Sequence, residues 1–163
     1  MDFVELLIGI AEIATALAGF TGVVVVFGSR SEGTWHPGDR LRLGFLLEAS
    51  LTAGGFSLLA LILLNATGDN PLTWATSSSI WAVFMVYSLY SSRKRIRADF
   101  DAHGDVDRVA NRFVAGLFIV LIVVQLVNAV WWQQFAPFLA ALSLNLGGAA
   151  MQFTRLIRTA FHN

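Results

Sequence analysis

The sequence has no cysteine at all, which excludes disulfides, thiolate metal sites, a cysteine nucleophile and palmitoylation. Lysine occurs once, at Lys94, beside an apolar run rather than inside one, so a retinal Schiff base within a helix bundle is excluded. The three histidines, His36, His103 and His162, fall in breaks or the tail, which excludes a haem held by two intramembrane histidines and a His-rich metal site between spans. Charge is scarce too. Charged residues make up 13 % of the chain, against about 25 % in soluble domains. Net charge is zero, so bulk attraction to nucleic acid has no support. The first residues, "MDFVELL", are acidic where a signal peptide is basic, and the first apolar run is expected to stay in the protein.

What the chain has in abundance is apolar sequence, 56 % of 163 residues, gathered in long runs. A hydrocarbon core of ~30 Å takes about 20 helical residues. Five runs meet this length, at 3–28, 41–64, 72–92, 112–132 and 135–156. The expected class is an all-α integral membrane protein, a single domain folded as a five-helix transmembrane bundle. The breaks are punctuated. "GSRSEGTWHPGD" offers Asp39 as a cap for the second helix. "NATGDNP" ends one helix near Gly68 and starts the next at Pro71. Asp105 is a candidate cap for the fourth helix, and Pro137 fits the first turn of the fifth.

Basic residues mark the cytoplasmic side of a membrane protein. Arg30, Arg40 and Arg42 lie around the first break; Arg93, Lys94, Arg95, Arg97, Arg108 and Arg112 around the third; Arg155 and Arg158 near the end. Five spans put all of them on one side, with the N-terminus outside and the C-terminus cytoplasmic. Trp74, Trp131 and Trp132 then fall at the outer interface, and Trp35 and Tyr90 near the inner one. No internal repeat is visible, and an odd number of spans argues against a simple inverted-repeat transporter.

The first run contains "GIAEIATALAGFTG", with Glu12 about 15 Å from its outer end, near the bilayer midplane. An ionised acid at that depth costs about 2.5–3.5 kcal/mol on insertion scales. No Lys or Arg lies at that level in any run. The acid must therefore be protonated and hydrogen-bonded, paired with a cation, or wet. At 100° per residue the run sorts into a bulky stripe (Leu6, Ile10, Ile13, Leu17, Phe20, Val24) expected to face lipid, and two small-residue stripes. One of these holds Ala11, Ala14, Thr15, Ala18 and Gly22, the other Glu5, Gly9, Glu12, Ala16 and Gly19. Small residues let transmembrane helices approach closely, so the helix is expected to be buried over most of its circumference, as the central helix of the bundle or of an oligomer. Gly55 and Gly148 are further packing candidates, on the second and fifth helices.

Other polar residues recur at several depths: Gln125 and Asn128 toward the outer side, Asn145 at the level of Glu12, and Glu48 and Gln152 toward the inner side. Sharing one cavity with Glu5 and Glu12, they form a ladder for protons or cations. Kept apart, they are glue between helices, with Glu48 able to snorkel or to pair with Arg40 or Arg42. No nucleophile–base–orienter set and no phosphate-binding glycine loop is present, so neither an enzyme nor a cofactor is expected. "DFDAHGDVD" echoes a calcium loop at Asp99, Asp101, Gly104 and Asp107. His103 at position five and Ala110 at position twelve break the pattern, and the loop reads as solvated. "NAT" at Asn65 matches a short glycosylation pattern that is common by chance. "SSRKRIR" is a topology signal with some reach toward anionic lipid. The expected function is an oligomeric proton or cation channel, or a proton-coupled carrier, in a plasma or bacterial inner membrane. The rival is a non-conducting scaffold that packs against partner helices. The partners are the bilayer and either further copies of the chain or other membrane helices.

Overall fold

The computed structural model describes the backbone of residues 2–32, 37–103 and 108–161. Among these residues there are five α-helices, one π-helical segment and no strand. The helices are α1 (Phe3–Glu32), α2 (Pro37–Thr67), α3 (Pro71–His103), α4 (Arg108–Val127), which continues into the π segment Asn128–Trp132, and α5 (Phe135–Phe161). Three helices are long and apolar enough to cross a membrane, over Phe3–Val24, Leu41–Thr67 and Val114–Trp132. α3 opens on a Thr/Ser cluster and carries "RKRIR" toward its end, and α5 carries Asn145, Gln152 and two glycines. These polar insertions lower the apolarity of both helices.

The helices extend beyond their apolar segments. α3 has 33 residues, about 50 Å of helix against ~30 Å of hydrocarbon. Arg93, Lys94, Arg95 and Arg97 are helical and exposed. Asp99 and Asp101 are helical as well, in the last turns of α3, whereas a calcium loop needs them in a turn. The remainder of that loop, and the Asp105 cap, lie outside the described residues. Asp39 proves not to be a cap: α2 already starts at Pro37, placing Asp39 inside its first turn. Proline suits that start, because the first helical N–H has no partner to lose.

The chain forms two compact units, Met1–Leu61 with Leu142–Asn163, and Ile62–Ala141. The first contains α1, most of α2 and most of α5. Its buried residues include Leu7, Ile10, Ala14 and Thr21 on α1, Leu46, Ser50, Ala53, Ser57 and Ala60 on α2, and Leu142, Asn145, Ala149 and Leu156 on α5. The spacing of three and four residues is that of one helical face. Small side chains dominate it, and a Cβ built on Gly54 would sit 3.2 Å from the Ala14 Cβ. That is the close backbone approach expected of membrane helices. Phe20 and Phe153 pack with ring centroids 6.3 Å apart.

The second unit is built around two tight reversals. Gly68, at φ +75°, ends α2 in the left-handed region that a side chain disfavours. Its N–H donates to the Leu64 carbonyl at 2.8 Å. Asn70 caps α3, its Oδ1 accepting from the Thr73 N–H at 3.1 Å, while its Nδ2 donates to the Thr67 carbonyl at 2.6 Å. The Thr73 hydroxyl lies 2.7 Å from both the Thr67 hydroxyl and the Gly68 carbonyl. Trp74 is buried inside the chain rather than exposed. Its indole N–H donates to Asp69 at 2.9 Å, and its ring packs on Phe135 and Phe138 with centroids 4.9 and 6.4 Å away. Trp131, Trp132 and Tyr90 are the exposed aromatics of the expected belt, while Trp35 lies outside the described residues.

Candidate functional site

The residues expected to form one polar ladder divide between the two units. Glu5, Glu12, Glu48, Asn145 and Gln152 belong to the first, Gln125 and Asn128 to the second.

In the second unit both amides are fully buried and tied into the α4–α5 reversal. Asn128 opens the π segment, and its carbonyl accepts from the Gln133 N–H at 2.7 Å, the wider-turn bond that defines a π-helix. Gln133 takes a left-handed conformation at φ 52° and turns the chain. The Asn128 side chain then braces the turn from inside. Its Nδ2 donates to the Ser78 hydroxyl at 2.8 Å and to the Gln134 carbonyl at 3.0 Å. Its Oδ1 accepts from the Gln134 N–H at 3.1 Å. One turn earlier, Gln125 Nε2 donates to the Pro137 carbonyl at 2.7 Å, while its Oε1 has no partner among the described residues. The side chain of Asn128 therefore spends both ends of its amide on the turn and on α3.

The first unit treats its polar groups differently. Glu5 and Glu12 are exposed, and so are Ala16, Gly19 and Val23 along the same stripe, with Gly9 half-buried. The stripe that carries Glu12 thus faces out of the chain. Within the chain itself α1 is not the central helix, since only 17 % of its apolar window is buried; the alternative, burial at the centre of an oligomer, needs further copies. The bulky stripe is split: Ile10 packs inside, while Ile13 and Phe20 are exposed. Gly19, Gly22 and Gly55 are exposed, and a Cβ added at Gly9, Gly19, Gly22, Gly55 or Gly148 would meet nothing within 4 Å. The glycine at a close approach inside the chain is Gly54, which the sequence reading passed over in favour of its neighbour.

Among the described residues the Glu12 carboxylate has no hydrogen-bond or ion-pair partner, and Asn145 does not supply one. Asn145 is buried at 2 % exposure with its Nδ2 unpartnered. Gln152 is half-buried, and its Oε1 is unpartnered too. Glu48 is half-buried, and its backbone carbonyl accepts from the Thr52 hydroxyl at 2.6 Å. Thr21, fully buried, is satisfied within its own helix by the Leu17 carbonyl at 2.7 Å.

Two buried hydroxyls join this set without having been singled out from the sequence. Ser50 and Ser57 of α2 are 1 % and 0 % exposed, and neither Oγ has a partner among the described residues. The signal available for them was spacing. Leu46, Ser50, Ala53, Ser57 and Ala60 recur at steps of three and four, a seam in which small polar and small apolar side chains alternate. No group of three or more His, Asp or Glu that could hold a metal occurs among the described residues.

The chain matches no family model, and neither a curated protein nor a solved structure is significantly similar to it. The functional reading therefore stands on the chain's own residues.

Proposed function

We propose that this is a small multi-pass membrane protein that self-associates through the outward stripe of α1 and passes protons or cations at the junction, with Glu12 as the central ionisable group. The observation that carries the reading is the placement of Glu12: an acid in the middle of an apolar helix, exposed on a small-residue stripe, with no partner among the described residues. Lipid cannot solvate a carboxylate. A second copy can cover it and provide the polar surroundings that its own chain does not, and Gly9, Ala16 and Gly19 leave room for close approach. Glu5 extends the acidic line toward the outer end. In the proposed topology five spans cross a plasma or bacterial inner membrane, N-terminus outside and C-terminus cytoplasmic. The support is that all 11 Lys and Arg then lie on one side. The same outward stripe also favours the rival reading, a non-conducting scaffold that offers α1 to the helices of another membrane protein.

The test is flux in liposomes. Wild-type protein is expected to carry proton or cation current, and Glu12→Gln to lose at least tenfold of it. Flux equal to that of empty vesicles overturns conduction and leaves the scaffold. Equal flux in wild type and variant overturns the role of Glu12. The mass in mild detergent is expected to exceed that of one 17.8 kDa chain; a monomer overturns self-association.

A further inference from the structure

Four side chains of the first unit hold a buried polar atom without a partner among the described residues, and they fall into two levels. α1 and α2 are joined by residues 33–36, too few to bring α2 back alongside α1 in the same direction, so the two helices are antiparallel. Ala14 facing Gly54 sets their register. The four connections between α1 and α5 are all this short, at 33–36, 68–70, 104–107 and 133–134, so α5 runs with α1. Phe20 packed on Phe153 sets that register. Counting from these two anchors, Ser57 of α2 and Asn145 of α5 share the level of Ala11 and Glu12. Ser50 and Gln152 share the level of Ala18 and Gly19. The spacing is seven residues on each helix, about 10.5 Å.

Each level therefore holds one hydroxyl and one amide. At the first the free atoms are Ser57 Oγ and Asn145 Nδ2, at the second Ser50 Oγ and Gln152 Oε1. Neither pair is bonded directly. Buried polar atoms without a protein partner are held by ordered water in native structures, and one water bridges two atoms about 5–6 Å apart.

We propose that the first unit binds water at two internal sites, one between Ser57 and Asn145 and one between Ser50 and Gln152. The ligand is water, because each level offers a hydroxyl and one amide atom and no charge, which suits a small neutral molecule able both to donate and to accept. At the first level water accepts from Asn145 Nδ2; at the second it donates to Gln152 Oε1. The serine hydroxyl completes each site in either sense. The alanines between them, Ala53 on α2 and Ala149 on α5, keep the two sites separate. These sites lie on the buried faces of α2 and α5, whereas Glu12 lies on the exposed stripe of α1, so the proposal does not depend on conduction.

Solid-state NMR of the isotope-labelled protein in lipid bilayers tests it, by transfer of magnetisation from water to assigned side chains. The Asn145 and Gln152 amides and the Cβ atoms of Ser50 and Ser57 are expected to receive it severalfold faster than the Ala53 and Ala149 methyls. Transfer no faster than to those methyls overturns the proposal. Asn145→Leu is expected to remove the Ser57 signal and leave Gln152 and Ser50 unchanged; persistence at Ser57, or loss at both levels, overturns the two-site arrangement. Ser57→Ala probes the same level from α2 should Asn145→Leu fail to fold, and is expected to remove the Asn145 signal; its persistence there overturns the site.

Discussion

The two units bury their asparagines in opposite ways. In the second, Asn128 is enclosed by Ser78 and by the backbone N–H and carbonyl of Gln134, at 2.8 to 3.1 Å. In the first, Asn145 is nearly as buried, yet its Nδ2 reaches nothing in the described chain. The same residue type thus serves as a bracket in one unit and as an open valence in the other. The lesson is that burial alone does not separate structural from functional polar residues. Partner count does, because an enclosed amide with all its bonds made has nothing left to offer a ligand.

Several substitutions would break or sharpen this contrast. The largest effect is expected at Trp74, whose indole closes the second unit. Trp74→Ala removes a buried ring and its hydrogen bond to the exposed Asp69, at a cost of about 3–5 kcal/mol, read as a lowered midpoint of thermal unfolding in detergent. Asn128→Leu comes next. It removes three side-chain hydrogen bonds and leaves the Ser78 hydroxyl and the Gln134 backbone buried without their partner, at about 2–3 kcal/mol. Its counterpart Asn145→Leu breaks no bond within the chain and is expected to cost less than about 1 kcal/mol. Equal losses at the two asparagines would erase the contrast. The smallest effect separates two adjacent glycines. Gly54→Ala forces its new methyl against Ala14 and is expected to lower stability by about 1 kcal/mol, while Gly55→Ala, with open space around it, is expected to be neutral or slightly stabilising.

Much of the helical layout was legible because its signals are local. Gly68, Asn70 and Pro71 announce the reversal between α2 and α3 within four residues, and the helix ends fall there. The directions of the faces were not legible. On a soluble helix, apolar residues point inward, but lipid is as apolar as a protein core, so Ile10 and Ile13 carry the same sequence signal while one is buried and the other exposed. The outward turn of Glu12 was hidden for the same reason. The bracket around Asn128 was hidden by distance, since its partner Ser78 lies 50 residues away along the chain. Nor does any composition rule announce a π turn. The recurrence of Ser50 and Ser57 two turns apart was present in the sequence, but it acquires meaning only beside Asn145 and Gln152 on another helix.

The α2–α3 reversal also bears on how the chain comes together during synthesis. All of its bonds join residues at most six apart, from Thr67 to Thr73. Closing so small a loop sacrifices little chain entropy, whereas the Asn128–Ser78 bond must first close a loop of 50 residues. The turn itself can therefore form while the rest of the chain is still emerging from the ribosome. The Asn128 bracket can close only once both α3 and α4 have been made, so a lesion at Asn70 acts earlier in synthesis than one at Asn128.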